Sequence, residues 1–277
     1  MKTEQKVEQA ITKYGLIKDK DKVLVACSGG KDSTTVLYML KKLDYNVSAI
    51  TVDALIGNYT KKNLANIKQF CKEIGVKLHV VSFRNEFGAS LCYLKSILAG
   101  KGVKLGSCTI CGVLRRYLLN KYARKLKASV IATGHNMDDE AQSALMNLFK
   151  NNLELLARLG PKTMINNFNN LIPRIKPLYF ASEKEVKEFS KKMKFPVNYD
   201  ACPCRANAYR NNIRKLLDQY EKINPDVKKN IINNFLKILP VLKKRIKAQK
   251  PNYCQNCGEP SKKERCMACQ ILEAIKK

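Results

Sequence analysis

Residues 23–33 read Val-Leu-Val-Ala-Cys-Ser-Gly-Gly-Lys-Asp-Ser, and they decide the fold. Val23 to Cys27 is an unbroken apolar run, far too short to span a bilayer and bounded by charge on its N-terminal side, so it reads as a buried strand. Ser28, Gly29 and Gly30 then turn the chain into a helix predicted from Ser33 to about Lys42. A strand that feeds a helix through such a turn gathers free backbone N–H groups around one point. The helix dipole makes that point positive, the glycines let an anion approach the backbone, and Lys31 adds a mobile cation. The pattern G-x-x-x-x-G-K does not match around Lys31, and G-x-G-x-x-G is absent there, so the turn is neither a Walker A loop nor a Rossmann fingerprint.

Outward from this turn, strands and helices alternate. Residues 1–14 carry Val7, Ala10, Ile11 and Tyr14 on one helical stripe. Strands are predicted at 47–53, 77–83 and 129–133, and helices at 63–74, 109–127 and 138–151. The alternation implies an α/β fold with a parallel sheet covered on both faces by helices. Asp53 and Gly134 fall at carboxyl ends of strands, where open sheets of this class bind ligands. Asp138 and Asp139 suit either helix capping or a place beside Mg²⁺ and the reacting group, and His135 reads equally well as a hydrogen-bonded structural histidine. Residues 171–178 hold two prolines and read as a loop or an edge element. Ser182 with Glu185 is a capping box, Pro196 marks a turn, and 207–220 is helical. Residues 222–250 carry nine basic side chains and one acid on a helix interrupted at Pro240. The division expected is 1–220, a catalytic domain, 221–250, a basic helical segment, and 251–277, a cysteine module.

Lys and Arg number 52 against 23 Asp and Glu, a formal net charge of +29. Such an excess suits nucleic acid first and an anionic membrane second, although a Lys/Asn/Ile compositional bias accounts for part of it. The N-terminus has no apolar h-region, so a soluble cytoplasmic protein is expected, with its eleven cysteines reduced and available as ligands or reactive thiols. Cys108-x2-Cys111 opens a helix, where the pair is open to reading as a redox pair, half of a zinc site, or coincidence. Cys202-Pro203-Cys204 offers further ligands, and Arg115 lies one turn beyond Cys111 on the same face, with Arg116 beside it. Cys254-x2-Cys257 and Cys266-x2-Cys269 supply four thiolates, the set a structural Zn²⁺ prefers, with an iron–sulfur cluster the lesser alternative. Cys27, Cys71 and Cys92 are expected to be buried small hydrophobes.

SGGKDS (Ser28, Gly29, Gly30, Lys31, Asp32, Ser33) resembles the PP-loop of N-type ATP pyrophosphatases, which share the adenine nucleotide alpha hydrolase-like fold. Together with CTICGVLRRYLL, ATGHNMDDEAQ, YDACPCR and the terminal double CxxC, it resembles the tRNA 2-thiolation enzymes of the TtcA/TtuA family, nearer the TtuA-like branch because of the C-terminal module. The resemblance covers residues 23–269. TtuA-like members usually begin with an N-terminal zinc finger, whereas here no cysteine precedes Cys27. The resemblance implies ATP and Mg²⁺ at residues 28–33, Asp53, Gly134, Asp138 and Asp139. It implies a [4Fe–4S] cluster on Cys108, Cys111 and Cys202, with Cys204 a stand-in for the last, and one iron open to sulfide. It also implies Asp139 and Lys31 in catalysis, Arg115 near the nucleotide, Zn²⁺ at the C-terminus, a tRNA substrate and a homodimer. The expected reaction is adenylation of a uridine C2 carbonyl followed by sulfur insertion. The sulfur source is left between free sulfide and a ubiquitin-like carrier, and the base between wobble uridine, T-loop uridine and anticodon-loop cytidine. Rival readings are another PP-loop tRNA ligase, of lysidine-synthetase or amidotransferase type, and a basic zinc-containing RNA-binding module without turnover.

Overall fold

The computed structural model describes residues 2–163, 171–205, 209–246 and 252–276. The ends of the sequence-predicted 207–220 helix and 222–250 segment, and Pro251, lie partly outside these residues. In chain order the elements are α1 (Thr3–Tyr14), β1 (Val23–Ala26), α2 (Lys31–Lys42), β2 (Val47–Asp53), α3 (Gly57–Glu73), β3 (Leu78–Ser82), α4 (Phe83–Phe87), α5 (Leu91–Gly100), α6 (Ser107–Lys125), β4 (Val130–Thr133), α7 (Met137–Phe149) and α8 (Leu153–Ala157). There follow β5 (Lys162–Thr163), β6 (Arg174–Ile175), α9 (Glu183–Lys192), a 3₁₀ turn (Pro203–Arg205), α10 (Tyr209–Glu221), α11 (Val227–Arg245), β7 (Asn252–Tyr253), β8 (Pro260–Ser261) and α12 (Met267–Lys276).

The main sheet runs β3-β2-β1-β4-β6-β5, parallel except for the last pair. Side chains of a strand alternate between the two faces. Val23 and Val25 of β1 therefore enter one apolar cluster, with α1, α2, α3 and α9, while Leu24 enters a second, with α5, α6 and α12. Both faces are covered, as an all-parallel core requires. Ala26 is in register with Ile50 and with Thr133, so the loops after β1, β2 and β4 leave the sheet along one edge. A third layer, α10 and α11, packs on α7 through Ala141, Ile213, Leu217 and Ile232 and then Ala144, Phe235 and Leu239.

Three expectations are corrected. Residues 171–178 are loop and turn apart from β6, and they form no edge, since β6 sits between β4 and β5 and β5 takes the edge. The run that passes Pro240 is a continuous helix, α11. Pro240 is exposed while Phe235 and Leu239 are buried, so the carbonyl that proline leaves without a partner lies on the solvent side and the packed face holds both halves in line. Cys27 and Cys71 are buried, but Cys92, near the start of α5, is exposed.

Candidate active site

Ser28 and Ser33 staple the turn after β1. The Ser28 N–H donates to Ser33 Oγ (3.0 Å), the two hydroxyls lie 3.1 Å apart, and Ser33 Oγ donates to the Gly30 carbonyl (3.2 Å). Gly29 has φ +77°, and a Cβ there would lie 2.3 Å from the Asn63 carbonyl oxygen of α3. Gly134, after β4, is as constrained, because a Cβ would meet the Ser33 nitrogen at 2.7 Å. These two glycines let the β1, β2 and β4 loops close on one another with the N-terminus of α2 between them.

Charged side chains converge on that N-terminus. Lys31 Nζ is 2.9 Å from Asp32 Oδ2 and 3.2 Å from Glu183 Oε1, and Glu183 Oε2 is 3.2 Å from Arg214. Burial would lower the Lys31 pKa, but Asp32 and Glu183 more than reverse this and raise it. Asp32 accepts from Asn136 Nδ2 (3.1 Å), and burial raises its pKa despite Lys31. Asn136 caps α7 by accepting from the Asp139 N–H (3.1 Å), and Asp139 returns the capping box. Burial raises Asp139, with Arg210 opposing it from 3.9 Å. Asp138 is turned away: it accepts from the Glu183 N–H (2.8 Å) and pairs with Lys228 (2.8 Å). His135 Nδ1 lies 2.9 Å from Thr133 Oγ1, and burial and Lys176 lower its pKa, so it is neutral at pH 7.

A cavity of about 220 Å³ opens beside this cluster. Ser28, Asp53, Tyr59 and Asn63 line it, and so do Cys111, Arg115 and Cys202. Arg115 Nε donates to Cys111 Sγ (3.1 Å). Cys108 Sγ donates to the Cys204 carbonyl (3.3 Å), joining the start of α6 to the 3₁₀ turn that carries Cys204, with Cys202 just before it. Cys108, Cys111 and Cys202, near the N-terminus of α6 and beside that turn, are soft sulfur side chains of the kind that hold iron–sulfur clusters. Cys204 is pushed up to about 11 by burial and by Cys202, Cys92 and Cys108, so it is a thiol at neutral pH.

At the C-terminus Cys254, Cys257, Cys266 and Cys269 bring their sulfurs within 4.8 Å of one another, the one such set of metal-ligating side chains found among the described residues. The Cys266 N–H donates to Cys254 Sγ (3.2 Å) and the Cys269 N–H to Cys266 Sγ (3.4 Å), as in metal knuckles. Burial would raise Cys254, but backbone N–H groups of Cys266, Asn256 and Cys257 bring it to about 6. Four sulfurs so placed fit a tetrahedral metal.

A family model described as a PP-loop domain matches residues 1–220. The tRNA-5-methyluridine(54) 2-sulfurtransferase of Pyrococcus horikoshii is 33% identical over 268 residues, 97% of this chain and 84% of that protein. The chain belongs to the PP-loop tRNA 2-thiolation family. The enzyme of the same name from Thermotoga maritima is 33% identical, over 99% of this chain and 88% of its own. Among solved structures, the U34-tRNA thiolase NcsA of Methanococcus maripaludis, with its [4Fe-4S] cluster, superposes with a TM-score of 0.81 at 28% identity, covering 98% of this chain and 86% of that one.

The expected site residues thus fall into two groups. Ser28 of the PP-loop and Asp53 meet Cys111, Arg115 and Cys202 around one opening, Lys31, Asp32, Gly134 and Asp139 gather at the N-terminus of α2 outside that lining, and both Asp138 oxygens are engaged by the Glu183 N–H and Lys228. Glu183, Arg210 and Arg214 were not anticipated. The two arginines are four residues apart at the start of α10, so they share a face, and that spacing was the one signal available.

Proposed function

We propose that the chain is an ATP-dependent tRNA-uridine 2-sulfurtransferase. The observation that carries this reading is the single cavity with the PP-loop Ser28 and Asp53 at one side and Cys111, Arg115 and Cys202 at the other. Adenylation of the C2 oxygen and addition of sulfur at C2 act on one carbonyl in turn, and the residues proposed for each line one opening.

The backbone N–H groups of residues 28–33 and the Lys31 ammonium would hold the triphosphate, and Asp32 and Asp139 would hold Mg²⁺. The uridine, flipped into the cavity, presents its C2 oxygen to the α-phosphorus. An O–P bond forms as the bond to pyrophosphate breaks. Arg115 offsets charge on the adenylated oxygen, which then leaves as AMP when a sulfur nucleophile adds at C2. A [4Fe–4S] cluster on Cys108, Cys111 and Cys202 supplies the activated sulfur when bound. Neutral His135 holds Thr133 at the floor of the loop and moves no proton.

In this reading 1–220 is the catalytic domain, 221–250 a tRNA-binding segment and 251–277 a Zn²⁺ module, with sulfide or a thiocarboxylate carrier as donor and a homodimer as the working form. No helix among the described residues is long and apolar enough to cross a membrane, and the cysteines are unpaired by disulfides, which suits the reducing cytoplasm. The test is an anaerobic assay with unmodified tRNA, ATP and sulfide. AMP, pyrophosphate and 2-thiouridine should appear in equal amounts, with digestion placing the base at position 34 or 54. Turnover that leaves the tRNA without sulfur, and is untouched by Cys202→Ala, would establish a ligase instead.

A further inference from the structure

Two arginines beside the cavity are not accounted for by nucleotide or sulfur. Arg115 folds back onto Cys111, but Arg116 points elsewhere, because consecutive helical residues diverge by about 100°. Its guanidinium lies over bare backbone, with Nη1 3.2 Å from where a Cβ on Gly112 would stand. Arg174, on β6, reaches up to the same helix and donates from Nη2 to the Arg116 carbonyl (3.4 Å). Neither guanidinium lines the cavity itself.

Among the described residues neither Arg116 nor Arg174 forms an ion pair, whereas Lys31, Arg210, Arg214 and Lys228 around the nucleotide site all do. The Arg174 Nε is buried without an acceptor. The acid whose charge reaches Arg174 is Glu259, and it is taken by Arg124 and Asn120. Burial lowers both arginines, against a raising charge from Cys111 at Arg116, and Arg174, brought to about 10, is lowered further by Arg116. Two like charges set together, one with an orphaned donor, describe a site that lacks its anion. Guanidinium forks match phosphate geometry, and the chain's excess charge attracts a polyanion.

We propose that Arg116 and Arg174 clamp a backbone phosphate of the tRNA next to the flipped nucleotide. The inference rests on the thiolase reading above and adds the rim contact to it. Both cations stand outside the lining that takes the base, Arg116 one residue beyond Arg115 on α6 and Arg174 bonded to the Arg116 carbonyl, so a strand whose base enters the cavity would bring its backbone past them. A phosphate at the rim fixes the register of the strand while leaving the base to the cavity.

The test is binding of unmodified tRNA to the full chain by fluorescence anisotropy across a salt series. Removing one phosphate-binding cation lowers the slope of log K against log salt by about one. Arg116→Ala should lower it by about that much, and Arg116→Ala with Arg174→Gln by about two, while ATP affinity stays as in the wild type. Lys72→Ala, at the opposite end of the sheet, should leave the slope unchanged. If Arg174→Gln fails to fold, Arg116→Ala alone decides. An unchanged slope in Arg116→Ala, with wild-type tRNA binding intact, overturns the clamp and spares the thiolase reading. A normal slope with a raised KM for a thiocarboxylate carrier also overturns it, assigning the pair to a protein partner. Absence of tRNA binding in the wild type removes both.

Discussion

Gly29 shows how much a single position constrains the site. Its positive φ and its approach to the Asn63 carbonyl leave no room for a side chain. Gly29→Ala should therefore cost of order 1–3 kcal/mol in loop conformation, read as roughly a tenfold or greater loss in ATP affinity by calorimetry. Unchanged affinity would mean the loop is not the phosphate site. This residue was legible in the sequence, because Ser-Gly-Gly after an apolar run has few other uses. The division of labour between Asp138 and Asp139 was not. Adjacent acids look alike in a string of letters, and only the arrival of Lys228 from α11 and the Glu183 N–H from α9 separates them. Asp139 titrates higher than an ordinary aspartate because burial outweighs Arg210, so Mg²⁺-dependent ATP binding should begin to weaken, as pH falls, above the usual carboxylate range. An Asp139→Asn variant should bind ATP weakly without that pH dependence.

At the scale of elements, α9 was readable from Ser182 and Glu185 alone, and the capping box is present. Glu185 also meets Lys6 of α1 at 2.6 Å. Burial alone would raise its pKa, but hydrogen bonds from Lys6 and Ser182 bring it below the usual glutamate value. A depressed carboxylate contributes stability that is complete above its unfolded pKa and lost as pH falls through the lower folded one. Glu185→Gln should thus cost about 1 kcal/mol at pH 7, measured by urea unfolding, and the difference should vanish in acid. An equal penalty at both pH values would place the effect in packing. Helix α11 teaches the opposite lesson. A proline mid-segment reads as a break, yet three buried side chains, Ile232, Phe235 and Leu239, override it. Replacing exposed Pro240 with Ala should raise the melting temperature, since alanine is up to about 3 kcal/mol better in a helix.

In the whole molecule the cysteine module is not an appendage. Cys254, Cys266 and Cys269 belong to the same apolar cluster as Leu24, Ile131 and Leu114, and buried Glu259 pairs with Arg124 of α6. The sequence showed four ligands but could not show where they dock, because the docking face on α5 and α6 is assembled from distant segments. Helix α5 itself, with Leu91, Leu94 and Leu98 buried, went unread for lack of a polar stripe to mark its period. Cys254→Ser, or chelation of a metal held by the four cysteines, should therefore lower the melting temperature of the entire chain in one transition. A separate early transition would show an independent module.

The most direct measurement is a count of iron, labile sulfide and zinc in anaerobically purified protein, with Cys108→Ala alongside. The account predicts about four irons and one zinc per chain in the wild type, and zinc alone in the variant. Zinc alone in both, even after anaerobic reconstitution, would contradict it and leave the cysteines beside the PP-loop without a cluster to hold.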